Sequence, residues 1–162
     1  MLKNIGNGFK TALEAGDIPL PHQTLLNRQR LFYIDANNRC FVHACFDRSL
    51  PFTLQKRERF FWDRSLLQDA IEQVNHQGSS QVPKDFYFDA DFSCIFTGHT
   101  PTTNFGTDQP LRALNIISVD TGAGHSGKLT LLELHEDIHN PQKKLRFWQS
   151  DPVTSLYKRS YR

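Results

Sequence analysis

The sequence predicts an α/β fold. Three observations carry that prediction: an aromatic and β-branched run broken by an acidic turn in "LFYIDANNRCFVHACF", apolar residues at helical spacing in "WDRSLLQDAIEQVNHQ", and four apolar β-type runs in the second half, separated by glycine- and proline-rich breaks.

The start of the chain is its least regular part. "KNIGNGFKTALEAG", with Gly6, Gly8 and Gly16, reads as loop and short helix, and an apolar helical pattern at Leu25, Leu26 and Leu31 follows Pro19 and Pro21. Next comes a hairpin, its two β runs joined by Asp35-Ala36-Asn37-Asn38. The helix after it takes Asp63 or Ser65 as N-cap and sets Leu66, Leu67, Ala70, Ile71 and Val74 on one face. Beyond "GSSQVPKD" the reading is a strand near Phe92 to Phe96, a loop from Pro101 to Pro110, and a strand in "LNIISVDT". The turn "GAGHSG", a strand in "KLTLLELH", the turn "EDIHNPQKK" and a strand in "LRFWQS" complete it. Neither repeats nor low-complexity tracts interrupt this order.

Composition narrows the function classes. A chain of 162 residues with 38% hydrophobic content suits one soluble globular domain over 1–162. Lys and Arg number 19 against 17 Asp and Glu, and the basic clusters Lys56-Arg57 and Lys143-Lys144 are too short for a nucleic-acid stripe. The sequence has neither a signal peptide nor a long apolar run, so the expectation is a cytoplasmic protein without a membrane span. Its three cysteines, Cys40, Cys45 and Cys94, lack C-x-x-C spacing and are expected as buried small hydrophobes without chemistry.

The chemistry-bearing residues are few. His43 in "FVHACF" and His99 in "CIFTGHT" each lie beside the end of an apolar strand, where a buried backbone delivers a side chain rigidly to a sheet edge. A lone histidine in such a place is more often a hydrogen-bonded structural residue than a ligand, and the two together set the structural and metal-site readings level. Arg64, near a helix start, can offer a bidentate fork to an anion, but local sequence favours a surface pair with Asp63 or Asp69.

Taken together, "FVHACFDR", "FFWDRSL", "IFTGHTPT" and "NIISVDTGAGHSGKLTLLEL" resemble, in order and spacing, the C-terminal half of the serine/threonine-type calcineurin-like metallophosphatases. That group includes bacterial protein phosphatases and diadenosine tetraphosphatase relatives. The resemblance covers 31–151, leaving 1–30 as a poorly matched start and 152–162 as a tail. It implies the C-terminal half of a metallophosphoesterase β-sandwich with flanking helices. It further implies that His43 and His99 bind the second metal of a dinuclear site, that Arg64 binds substrate phosphate, and that Asp120 shapes the turn after its strand. A divalent metal, manganese first, and a phosphorylated substrate follow from it. Cys45 stands where the family usually has glycine, and His125 where it often has an apolar residue.

The family's D-x-H, G-D-x-x-D-R-G and G-N-H-[DE] motifs are missing from this sequence. They supply the bridging aspartate, the first-metal ligands and the histidine that protonates the leaving group. "DIH" at Asp137 to His139 matches D-x-H by letter only, because it sits in a late polar turn. Two-metal hydrolysis needs a bridging carboxylate that holds the ions ~3.5–4 Å apart. The expectation is therefore a phosphoesterase half, truncated or separately translated, with Met1 as an internal start, inactive alone and binding metal weakly. Alternatives are a non-catalytic binding or assembly module on the same scaffold, and an enzyme half that needs a complementary N-terminal chain. Homo-oligomers are expected from the uncovered sheet edge. The imidazoles of His43 and His99 should converge, with Gly98 providing the sharp turn that aims the second.

Overall fold

The central strands in the larger part of this chain are continuous apolar runs, the pattern of strands buried on both faces of a sheet. The computed structural model describes residues 3–5, 9–11, 14–77, 92–140 and 142–156; the stretch "GSSQVPKD" lies outside them. The chain forms two compact units, Met1–Arg30 and Leu31–Arg162.

The first unit departs from the expected loop and short helix. Strands β1 (Lys3–Ile5) and β2 (Phe9–Thr11) pair antiparallel, with Lys3 opposite Thr11 and Ile5 opposite Phe9. A Gly-Asn-Gly sequence between two β-forming residues is a hairpin signal, and it outweighs the helical reading here. Helix α1 (Leu20–Asn27) carries proline in its first turn, where a missing N–H costs no hydrogen bond. It ends before Leu31, which belongs to the second unit and not to the helical face expected for it.

In the second unit, β3 (Phe32–Ile34) and β4 (Arg39–Val42) form the expected hairpin, closed by an Arg39–Asp35 ion pair at 2.6 Å. The short helix α2 (Arg59–Trp62) precedes α3 (Ser65–Gln77). Then come β5 (Cys94–Thr97), β6 (Leu111–Ala113), β7 (Ile116–Ser118), β8 (Thr130–Leu132), β9 (Phe147–Gln149) and α4 (Val153–Leu156). Five strands make a mixed sheet in the order β3-β4-β5-β7-β6; β4, β5 and β7 are parallel neighbours, flanked by antiparallel β3 and β6. Strands β8 and β9 form a separate antiparallel pair.

The single strand expected in "LNIISVDT" is β7, and β6, just before that stretch, is an additional strand that the sequence reading did not include. Leu114 adopts a left-handed φ of 53°, and the buried Asn115 donates from Nδ2 to the Phe92 carbonyl at 3.1 Å. The chain therefore reverses at Leu114-Asn115, and β6 returns antiparallel beside β7.

One face of the sheet presents Cys40, Val42, Ile95 and Ile116 to Leu66, Leu67 and Ala70 of α3 and to Phe46, Phe52, Phe60 and Phe92. The other buries Cys94, Phe96 and Ile117 with Ile138, against Phe41, Leu132 and Leu145. Helix α3 thus covers one face, and the β8–β9 region covers the other. All three cysteines are buried and unpaired. Burial pushes the thiols of Cys40 and Cys94 up to about 12 and that of Cys45 to about 11. None is a nucleophile at neutral pH.

Candidate functional site

Parallel neighbours β4, β5 and β7 end at the same edge of the sheet, the edge at which open α/β sheets bind ligands. His43 directly follows β4, while His99 and Asp120 each lie two residues past β5 and β7. The register is fixed by backbone: Phe41 pairs with Phe96, and the Gly98 N–H donates to the His43 carbonyl at 2.9 Å. Residues far apart in sequence therefore meet, and the rings of His43 and His99 have centroids 5.0 Å apart at 59°.

Gly98 is not where the chain turns sharply. The left-handed residue is His99 itself, with φ 64°, whereas Gly98 serves close approach: a Cβ there would lie 3.4 Å from the His43 carbonyl. Histidine is among the side chains that tolerate this conformation better than most, at a cost of about 1–2 kcal/mol. The Nε2 atom of His99 is buried and has no hydrogen-bond partner among the described residues. Burial first, then the charge of Arg64, then His43, hold its pKa below the ordinary imidazole value, against an opposing pull from Asp120. A neutral ring is the metal-binding form.

A metal fits this pair in part. An ion with ~2.0–2.2 Å bonds to two imidazoles at a near-tetrahedral angle holds their ring centres roughly 5 Å apart. The orphaned Nε2 atom is a donor in want of a partner. Among the described residues, however, His, Cys, Asp and Glu form no metal-holding group of three or more. The pair supplies two ligands of the four that a closed zinc site uses.

Arg64 does not form the surface ion pair that its neighbours offer. Asp63 is taken by Arg59 at 2.6 Å and, through Oδ1, accepts the Ser65 N–H and hydroxyl at the start of α3. Asp69 is taken by Arg48 at 3.4 Å. Arg64 makes only a long contact to the Trp62 carbonyl, at 3.5 Å, and its exposed guanidinium forms no ion pair among the described residues. Trp62 stands edge-on to His99, with centroids 5.6 Å apart.

A cleft of about 440 Å³ opens beside His99, lined by Arg64, Thr103, Asn104, His125 and Ser126 among others. Its two loop walls are cross-tied. Asp120 accepts the Gly122 N–H on its carboxylate at 2.9 Å and the Thr102 N–H on its carbonyl at 2.8 Å. The His125 and Gly127 N–H groups both reach the Gly122 carbonyl at 2.9 Å, and Gly122 has φ 87°. A Cβ on Gly127 would fall 2.0 Å from the Thr121 carbonyl oxygen, so only glycine closes this turn. Asp137 hydrogen-bonds His135 and pairs with Lys143 between β8 and β9, and His139 is exposed.

His43, His99, Arg64 and Asp120 thus group at one end of the sheet. Trp62, Thr103 and Asn104 were not singled out by sequence reasoning. Trp62 carried a signal, since it precedes Arg64 by two positions in "FFWDRSL"; Thr103 and Asn104 carried only their place in the loop after His99. No protein-family profile, curated protein or solved structure matches this chain.

Proposed function

We propose that residues 31–151 are the C-terminal half of a metallophosphoesterase domain, acting in metal-dependent hydrolysis of a phosphomonoester or dinucleoside polyphosphate. His43 and His99 hold one divalent ion, manganese first, and Arg64 clamps the substrate phosphate. One observation carries the reading: two histidines 56 positions apart in sequence bring their rings to 5.0 Å at the carboxyl edge of parallel strands. The guanidinium of Arg64 in the adjoining cleft, without an ion pair among the described residues, supports it. The β8–β9 pair on the second face of the sheet is what a partial sandwich would carry there.

The bound ion would supply Lewis acidity toward a phosphoryl oxygen. This chain's own residues do the rest. The ring of His99, kept neutral, is free to ligate, Trp62 limits its movement, and Arg64 orients the phosphate through a bidentate fork. These 162 residues contain no bridging aspartate motif and no leaving-group histidine motif, so turnover by them alone is not expected. The protein is proposed to work in the cytoplasm; no helix among the described residues is long and apolar enough to cross a membrane.

A second reading, a half that assembles with a complementary chain or a second copy, is favoured by a specific surface. Leu131 and Trp148 are cross-strand partners on β8 and β9 and are 65% and 62% exposed, and among the described residues β3 leaves one edge of the main sheet unpaired. Light scattering should show dimers or larger species; a monomer at all concentrations contradicts this.

The functional test uses p-nitrophenyl phosphate and orthophosphate with manganese. Turnover should equal that of buffer, while orthophosphate binding should fall about tenfold or more in Arg64→Ala. Turnover that disappears in His43→Ala would overturn the inactivity of the half. Unchanged orthophosphate binding in Arg64→Ala would overturn the clamp.

A further inference from the structure

We infer that His125 and Arg64 make the cleft a two-point anion site, selecting substrates that carry a second phosphate next to the one held by Arg64. The inference rests on the proposed phosphoesterase reading and deepens it by choosing between its two substrate classes.

Charge comes first. Among the described residues the cleft is lined by Arg64, His99 and His125 with neutral Thr103, Asn104 and Ser126, and no carboxylate reaches it. Of the acidic side chains nearest in sequence, Asp63 is held by Arg59 and Ser65, Asp108 by Lys128 at 2.6 Å, and Asp120 accepts the Gly122 N–H. An anion entering here meets donors along the lining, with Asp120 the one carboxylate that acts on it, from beside His99.

Size is the second argument. At about 440 Å³ the cleft lies within the ~300–1,000 Å³ of small-molecule sites, and a single phosphate would leave most of it empty. Hydroxyl and amide groups from Thr103, Asn104 and Ser126 can hydrogen-bond a longer polyanion without fixing its charge.

Rigidity is the third. His125 is exposed on a turn whose N–H groups converge on the Gly122 carbonyl and whose closing residue, Gly127, admits no side chain. Thr121 adds a hydroxyl bond to the Lys128 carbonyl at 2.6 Å. The backbone that carries the imidazole is therefore held in place, and an apolar residue at 125 would leave Arg64 as the only firm anion contact among these wall residues. Even a neutral imidazole donates one N–H, so the contact does not require protonation.

The test measures inorganic pyrophosphate and orthophosphate binding to the metal-free protein in chelator, by calorimetry. Wild type should bind pyrophosphate at least about tenfold more tightly. His125→Ala should reduce pyrophosphate affinity to the orthophosphate level with orthophosphate unchanged, His125→Gln should restore part of it, and Arg64→Ala should weaken both. In wild type, the His125 ring-proton resonances should move with pyrophosphate and not with orthophosphate, a readout that needs no variant. Equal loss of both ligands in His125→Ala, or a preference that survives it, would overturn the assignment. Because no metal is present, failure of metal binding at His43 and His99 would sink the phosphoesterase reading without altering these outcomes.

Discussion

Replacing His99 by glycine and, separately, by alanine isolates the backbone geometry that aims the site. Both variants lose the ring and its contacts with His43 and Trp62, so those losses cancel in the comparison. What differs is the cost of φ 64°. A side chain in the left-handed region costs about 1–2 kcal/mol, which glycine escapes. Glycine gives back about 0.4–1 kcal/mol through the freedom of its unfolded chain. The balance favours His99→Gly over His99→Ala by roughly 1 kcal/mol, equivalent to ~2–4 °C in Tm for a chain of this size. Urea unfolding of the two variants should show the shift in midpoint with an unchanged slope. Equal stability, or a more stable alanine variant, would refute the left-handed backbone at His99 and with it the explanation of how the ring reaches His43.

Two further outcomes follow from the same packing. Gly127→Ala places a Cβ 2.0 Å from the Thr121 carbonyl and 2.8 Å from the Gly122 Cα, both backbone atoms that cannot swing aside. It should destabilise the fold by about 1–3 kcal/mol or more in urea unfolding, and a neutral effect would contradict the tied turn. The second concerns high pH. Unfolded thiols ionise near ~8.5, whereas Cys40, Cys45 and Cys94 stay protonated in the fold to about 12, 11 and 12. Their contribution to stability is fully present below the unfolded value and is lost as pH rises toward the folded values. Denaturation midpoints should fall between pH ~8.5 and ~10.5, and an aromatic disulfide reagent should find no reactive thiol in the folded protein at pH ~8. Rapid reaction of any of the three would show that the core is open.

The α/β class and most elements were legible because their signals are local. Leu66, Leu67 and Ala70 repeat at helical spacing and are buried as that spacing requires, and the turn at Asp35 announced its hairpin. What was missed lies where glycine or asparagine admits more than one conformation: the β1–β2 hairpin at the start of the chain, and the reversal at Leu114-Asn115 that sets the extra strand β6 beside β7. His43 and His99 could be named individually from their places after apolar runs. That they meet depends on β4 and β5 being parallel neighbours in a set register, a non-local pairing that no window of sequence reports. The state of Arg64 was equally hidden. Local sequence favoured a pair with Asp63 or Asp69, and only the placement of Arg59 and Arg48 shows both carboxylates already engaged.

Metal binding by His43 and His99 tests the account most directly. Titration of the protein with manganese or cobalt, followed by X-ray absorption at the metal edge, reads both affinity and ligand type. The account predicts one weakly held ion per chain with two imidazole nitrogens in its shell at ~2.0–2.2 Å, removed readily by chelator and lost when either His43 or His99 is changed to alanine. An ion that stays bound with an unchanged shell when both histidines are replaced would contradict it.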